Sequence, residues 1–405
     1  MGDFFQNGEV TNLHLFSRNN VEKLERELLE FSRVRPLALV LPLLFSDLKS
    51  EAFLKILAEL SHIQYINEIV VTLGMANKKE FLEAKSILSP LGKNAVIIWN
   101  SGDNIQSLYH LLNKENIPTG GDGKGRAAWM AYGYVLANGK SYSITLHDGD
   151  ILTYTREFLA RLCYPVSNPN LDYQFCKGYY PRIGDNKLHG RATRLFVTPL
   201  IRALKKIIGY HEFLEYLDSF RYILAGEFSM VADLARINRI PSDWGLEIGV
   251  LSEVFRNISI RRICQVELCD AYDHKHQPLS PDDPEEGLLK MTIDIAKTLF
   301  RSLSSMGVVF SEGIFKALVS TYIRIAQDFI AKYHADAIID GLNFDRHQEA
   351  LAVETFVKAI RIASEDFLKD PLGSPFIPNW NRVTSALPYF FDSLLKAVKE
   401  DNKDL

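Results

Sequence analysis

The sequence predicts an α/β fold: a mostly parallel sheet flanked by helices, followed by a helical C-terminal addition. Three observations predict it. In the first half, short apolar runs alternate with segments of helical apolar spacing, the pattern of strand–helix–strand units. The apolar runs end in "PLLFSD", "TLGMAN", "WNSGD" and "HDGD", and open α/β sheets bind ligands beyond such strand ends. After about Pro284 the chain keeps helical spacing almost without interruption.

Each element follows from its local pattern. Residues 19–31 read as an amphipathic helix, with Val21, Leu24, Leu28 and Phe31 on one face and Asn20 as a cap. "LALVLPLLF" reads as a buried strand that breaks at Pro42. A helix through "EAFLKILAEL", a strand "NEIVVTLG" stopped by Gly74, a helix "KKEFLEAKSILSPL", a strand "NAVIIWN" and a helix "DNIQSLYHLLNKEN" complete the alternation. A glycine-rich loop and helix follow in "PTGGDGKGRAAWMAYGYVLANG", then a fourth strand, "YSITL". "LDYQFCKGYYPRI" reads as a strand, and "RATRLFVTPLIRALKKIIG" as a long helix bent at Pro199. Four helical stretches run from Gly287 to Asp401, and the charged end "KEDNKDL" is expected to fray. The expected division is a helical lead (1–33), an α/β domain (34–283) and a helical C-terminal region (284–405).

Bulk properties narrow the class. The 405 residues exceed one simple core. Forty-six basic residues against 50 acidic ones leave a net charge of −4, so no global basic field points to nucleic acid. The most apolar run, Pro36–Phe45, is about half the ~20 residues that a membrane span needs. Cys163, Cys176, Cys264 and Cys269 form no CxxC pair and read as reduced thiols. With no signal peptide legible at the start, the expectation is a cytoplasmic protein.

The chemistry concentrates in "HDGD". In an extended chain residues i and i+2 point to one side, so Asp148 and Asp150 face the same point. Like charges this close repel unless a cation lies between them. A hard divalent ion held there takes its remaining ligands from phosphates. Gly149 is expected to leave room for a ligand against the backbone. Read alone, the motif is also ordinary turn chemistry. A glycosidase pair is a further reading, but two acids on one short loop suit one ion better than opposite sides of a sugar.

Other segments supply complementary groups. "GGDGKGR" fails the P-loop pattern but presents Lys124 and Arg126 ahead of a helix, where a phosphate is well placed. "YDHKHQPLS" offers His274 and His276 as metal ligands. Arg191, Arg194 and Thr193 stand at an expected helix start suited to a phosphate or carboxylate. Glu227 and Glu247 lie among apolar residues and either accept sugar hydroxyls or pair internally. His14, His62, His110 and His189 have no partner in sequence and read as structural.

In this order, "LVLPLLFSD", "GKGR", "HDGD", "FCKGYYPR", "GRATRLFVTPL", "LAGEF", "DWGLEIGVLSEV" and "DHKHQPLS" resemble the glucosyl-3-phosphoglycerate synthases. Mannosyl-transferring relatives are similar. The resemblance runs from about Leu37 to Leu279. It implies a GT-A fold, a Mg2+ or Mn2+ ion, and retaining transfer of glucose from a nucleoside-diphosphate-glucose donor to the 2-hydroxyl of a 3-phosphoglycerate acceptor. The product leads to glucosylglycerate, a compatible solute. Metal ligation then falls on Asp150, His274 and Asp148, with His276 as the fallback. Donor binding falls on Pro42, Leu44, Asp47, Gly74, Lys124, Asp148 and Gly149. Acceptor binding falls on Gly190, Arg191 and Thr193, and the catalytic assignment on Asp148, Glu247 and Leu224. Many relatives carry Asn-Glu-Glu where this chain has Phe45-Ser46-Asp47, and Asp-x-Gly-Ser where it has "TLGMAN". The nucleotide base is therefore left open. Mannosyl transfer, glycerate as acceptor, and a nucleotide-sugar or glycoside hydrolase are the alternatives. The apolar C-terminal helices suggest a homodimer.

Overall fold

The computed structural model describes residues 6, 8–17, 20–275, 277–373 and 376–403. Ten strands occur among them: β1 Thr11–Leu13, β2 Leu37–Leu44, β3 Ile66–Gly74, β4 Ala95–Trp99, β5 Ser143–Leu146, β6 Phe175–Tyr179, β7 Ile183–Gly184, β8 Lys187–Leu188, β9 Phe228–Val231 and β10 Ile263–Glu267. Eight form one sheet in the order β1-β10-β6-β9-β5-β2-β3-β4, and β7 and β8 make a separate hairpin. Strand β9 pairs antiparallel with both β5 and β6, while the other neighbours pair in parallel. The C-terminal ends of the parallel strands therefore share one edge, and β9 starts at that same edge.

The alternation in the first half is real, and so are its helices: α1 Val21–Phe31, α2 Glu51–Leu60, α3 Lys78–Leu88, α4 Asp103–Lys114, α5 Lys124–Asn138 and α6 Arg156–Ser167. Ser50, Asn77 and Thr155 cap α2, α3 and α6 through their side chains, which fixes where those helices start. The central strands read as continuous apolar runs because helices cover both faces of the sheet.

Strand β2 does not break at Pro42. It continues to Leu44 with Pro42 opposite Thr72 of β3. Strand β5 pairs with β2 only as far as Val40, so beyond that point one side of β2 is an edge and tolerates a residue without an N–H. The lead is not purely helical either, because it supplies edge strand β1.

The second half carries α7 Thr198–Ile208, α8 Glu212–Asp218, α9 Ala232–Ile237, α10 Leu246–Asn257, α11 Gly287–Ser305, α12 Glu312–Ile339, α13 Arg346–Lys369, α14 Trp380–Ala386 and α15 Phe390–Asp401. Helix α7 is preceded by a π-helical turn, Ala192–Val197, so the expected bend falls before Pro199, which occupies the first turn of α7. The last helical stretch is split, α14 ending at Ala386 and α15 starting at Phe390. The C-terminal helices are tied to the α/β part: Trp380 stacks on Trp129 of α5 with ring centroids 4.0 Å apart. The expected fraying does not extend to Asn402, whose carboxamide bonds both backbone groups of Ile97. Asp404 and Leu405 lie outside the described residues.

Candidate active site

Strand β5 ends in His147, which is fully buried. Its Nδ1 lies 2.8 Å from the Asp148 carbonyl oxygen and its Nε2 3.4 Å from the Tyr154 hydroxyl. Burial pushes its pKa down to about 4, so at neutral pH the ring is an uncharged brace for the loop that follows. Within that loop Gly149 packs against Leu43. A Cβ there would overlap the Leu43 side chain of β2.

The loop is then zippered to the chain around His274. Ile151 bridges His274 in antiparallel fashion, and the Leu152 N–H donates to the Asp273 carbonyl at 2.9 Å. This sets His274 Nδ1 3.5 Å from Asp150 Oδ2. Asp148, Asp150 and His274 each offer a ligand atom, and these atoms lie within 4.8 Å of one another. Two carboxylate oxygens and an imidazole nitrogen fit a divalent cation such as Mg2+ or Mn2+. His276 lies outside the described residues.

Lys124 opens α5 beside this cluster. Its Nζ is 2.6 Å from Asp148 Oδ1 and 3.5 Å from Glu247 Oε1. Burial alone would raise the Asp148 carboxyl, but the Lys124 ammonium outweighs it and holds the group below the usual carboxylate range. Burial would likewise lower Lys124, yet Asp148 and Glu247 keep it above the ordinary lysine value. Both groups are therefore charged at neutral pH. The glycines around Lys124 are packed against the protein: a Cβ on Gly120 or Gly123 would overlap Ser242, and one on Gly125 would overlap the Pro241 carbonyl. Arg126 has partners of its own. It pairs with Asp122 at 2.9 Å and covers the Tyr109 ring.

The two glutamates left open by sequence separate cleanly. Glu227, immediately before β9, is fully buried and accepts hydrogen bonds from Tyr180 at 2.6 Å and Tyr272 at 2.7 Å. Burial, reinforced by Asp148, raises its pKa. Glu247, in the first turn of α10, instead faces a cavity of about 400 Å³.

That cavity is lined by Lys124, Asp148 and His274 and by the basic residues Arg182, Lys187, His189 and Arg191. Trp244 and, from α11, Leu288, Met291 and Ile295 supply an apolar side. The lining thus combines acids able to hold a cation with groups able to hold an anion. The space between accommodates a small polar substrate in two parts.

The comparisons with known proteins agree with this geometry. No protein-family model matches the chain. It is 49% identical over 404 residues to glucosyl-3-phosphoglycerate synthase of Persephonella marina, covering 100% of both chains. It is 36% identical over 406 residues to the enzyme of the same name from Methanococcoides burtonii, covering 99% of this chain and 98% of that one. The chain belongs to the glucosyl-3-phosphoglycerate synthases. Among solved structures, the synthase of Mycobacterium tuberculosis with Mn2+, UDP and glucosyl-3-phosphoglycerate matches at 21% identity and a TM-score of 0.53, covering 75% of this chain and 89% of that one. The same protein with Mg2+ and UDP matches at 21% identity and a TM-score of 0.52, covering 75% and 88%. This likeness shows the fold, the expected GT-A arrangement.

Of the residues that the synthase resemblance selects, Lys124, Asp148, Gly190, Arg191, Thr193, Leu224, Glu247 and His274 line the cavity. Asp150 stands beside His274 at its mouth. Pro42, Leu44 and Gly74 sit at the C-terminal ends of β2 and β3, outside the cavity lining. Asp47 belongs to the turn after β2, where its carboxylate accepts the Leu44 N–H at 3.2 Å. Arg194 does not line the cavity. It is buried, and it donates to the His189 and Leu188 carbonyls at 2.8 and 3.1 Å. The backbone N–H groups of Thr193 and Arg194 are also taken, both by the Gly190 carbonyl at 3.0 Å. Sequence reasoning read His189 as structural and did not single out Arg182, Lys187 or Trp244, because single residues on short irregular segments carry no periodic signal. For the three basic residues, a clustering of cations around "LHGR" was the available clue.

Proposed function

We propose that this chain transfers glucose, with retention, from a nucleoside-diphosphate-glucose to the 2-hydroxyl of 3-phosphoglycerate. The observation that carries the reading is the convergence of Asp148, Asp150 and His274 beside one cavity that Asp148, His274, Arg191 and Thr193 all line. The two full-length relatives bear the corresponding name. Asp148, Asp150 and His274 would hold a divalent ion, which when bound would offset charge on the departing diphosphate. Lys124 adds a second positive charge on the same side. The donor nucleotide extends toward the ends of β2 and β3, past Pro42, Leu44, Asp47 and Gly74, while Gly149 shapes the loop between. Leu224 and Glu247 border the sugar. Gly190, Arg191 and Thr193 hold the acceptor's anionic groups and so aim its hydroxyl.

Glu227 is locked by two tyrosines and does not serve as a nucleophile. As the resemblance to the synthases implies, the acceptor hydroxyl attacks from the leaving-group face, and a diphosphate oxygen takes its proton. The reading includes action as a homodimer in the cytoplasm, the location supported by four free cysteines. No helix among the described residues is long and apolar enough to cross a membrane.

A donor-by-acceptor matrix with mass detection of products tests the proposal and identifies the base. Transfer is expected only with a nucleotide-glucose and 3-phosphoglycerate together. EDTA should abolish it and Mn2+ or Mg2+ restore it, and Asp150→Ala should lower kcat/KM about a hundredfold or more. Turnover that survives full metal removal, or free glucose released equally well without acceptor, would refute it.

A further inference from the structure

The acceptor wall is not held by the α/β part alone. Glu349, in the first turn of α13, is 4% exposed, and a carboxylate that deep needs partners. It has two. Its Oε1 accepts from Arg191 Nε at 2.8 Å, and its Oε2 pairs with Arg194. The two arginines differ in exposure, the Arg194 side chain being 7% exposed and that of Arg191 36%. The triad has one positive charge in excess, and that excess sits on the arginine that lines the cavity. Gripping a guanidinium by its Nε fixes its plane and leaves both Nη groups for a bidentate contact with phosphate or carboxylate. Among the described residues, the Arg191 guanidinium makes no other hydrogen bond.

The same region also holds the neighbouring hairpin. In the turn between α12 and α13, the Asn343 N–H donates to the Asn186 carbonyl at 2.8 Å, and Asn186 Nδ2 donates to the Gly341 carbonyl at 3.2 Å. Lys187 and Leu188 of β8 line the cavity immediately beyond. Through Arg194, Glu349 also reaches the carbonyls of Leu188 and His189.

We propose that Glu349 is a positioning residue for the acceptor: it orients Arg191 from behind so that the free edge of the guanidinium meets the acceptor's anionic group. This rests on the acceptor reading of Arg191 given above. The C-terminal helices thereby complete the acceptor half of the site.

The test uses the full chain carrying Glu349→Gln, Glu349→Asp, Arg191→Ala, and Arg191→Ala with Glu349→Gln. Steady-state rates are measured against 3-phosphoglycerate, and separately against whichever nucleotide-glucose the donor matrix finds active. Glu349→Gln is expected to raise the acceptor KM about tenfold, with kcat and the donor KM changed less than about twofold. Glu349→Asp should fall between. In the Arg191→Ala background, Glu349→Gln should add less than about twofold, because its effect passes through that arginine. An unchanged acceptor KM in folded Glu349→Gln overturns the inference, as does an equal rise in both KM values. If Glu349→Gln does not fold, Glu349→Asp decides by the same criteria. The acceptor reading itself fails if Arg191→Ala leaves the acceptor KM unchanged. If Arg191→Ala raises it and the Glu349 variants do not, only the positioning role fails.

Discussion

Lys177 shows what burial does to a single charge in this fold. It sits on β6, 1% exposed, with Nζ donating to the Ala225 carbonyl at 2.6 Å and lying 5.9 Å from the centre of the Phe228 ring. Burial lowers its pKa to about 8, although Glu247 and Glu227 pull the other way. Because the folded pKa lies below the unfolded one, the unfolded chain binds more protons between the two. The lysine therefore costs stability below pH 8, and the cost is relieved as pH rises toward the unfolded value. Between pH 8 and pH 10 the wild type should gain about 2 kcal/mol from this residue, a gain that Lys177→Met should lack. Denaturant unfolding of both proteins at the two pH values measures the difference, and equal slopes would remove the assignment. Nothing in "FCKGYY" signals a buried lysine, because the cost is met by a carbonyl 48 residues away in sequence. The acids were easier to read. Asp148 and Asp150 share a side by the period of an extended chain, whereas the partnership with His274 came from family resemblance and needed the Ile151–His274 bridge to be realised.

Among elements, long periodic ones were legible and short ones were not. Helices α11, α12 and α13 follow their apolar spacing, but β1, β9 and β10 were missed. Three to five residues offer too few alternations to announce a strand, and β9 runs against its neighbours where the surrounding pattern suggests parallel pairing. The glycine-rich loop was recognised for a different reason from the one the structure gives. At an open helix position Gly→Ala stabilises by about 1 kcal/mol. At Gly125 the sign should reverse, because the added methyl meets the Pro241 backbone, which cannot rotate aside. Gly125→Ala should cost about 1–3 kcal/mol. It should also lower kcat about ten- to a hundredfold, by displacing Lys124 from Asp148. Thermal midpoints and rates taken where both proteins are folded check the two halves. A stabilised, fully active variant would mean that the loop yields easily.

At the scale of the whole molecule, the chain ends close the sheet. Its outer strands, β1 and β4, would each present unpaired backbone groups, a template for association. Gln6 covers one edge: its carboxamide donates to the Asn12 carbonyl at 2.8 Å and accepts the Asn12 N–H at 2.6 Å. Asn402 does the same at the other, accepting the Ile97 N–H at 3.0 Å and donating to the Ile97 carbonyl at 2.8 Å. A carboxamide suits this task because it carries a donor and an acceptor side by side, as a neighbouring strand does. Such closure is invisible to local pattern: Asn402 lies 305 residues from Ile97, in a tail whose charge alone suggested fraying. Asn402→Leu keeps the bulk but removes both bonds. It should lower stability by about 1–3 kcal/mol, since two backbone groups lose their partner at a half-covered edge. It should also raise light scattering on heating, because β4 then offers a free edge. Glucosyl transfer at 25 °C should be unchanged, the cavity being lined by other elements. Unfolding midpoints with parallel scattering traces measure both effects, and a variant with the wild-type midpoint and no added scattering would show that water satisfies the β4 edge as well as Asn402 does.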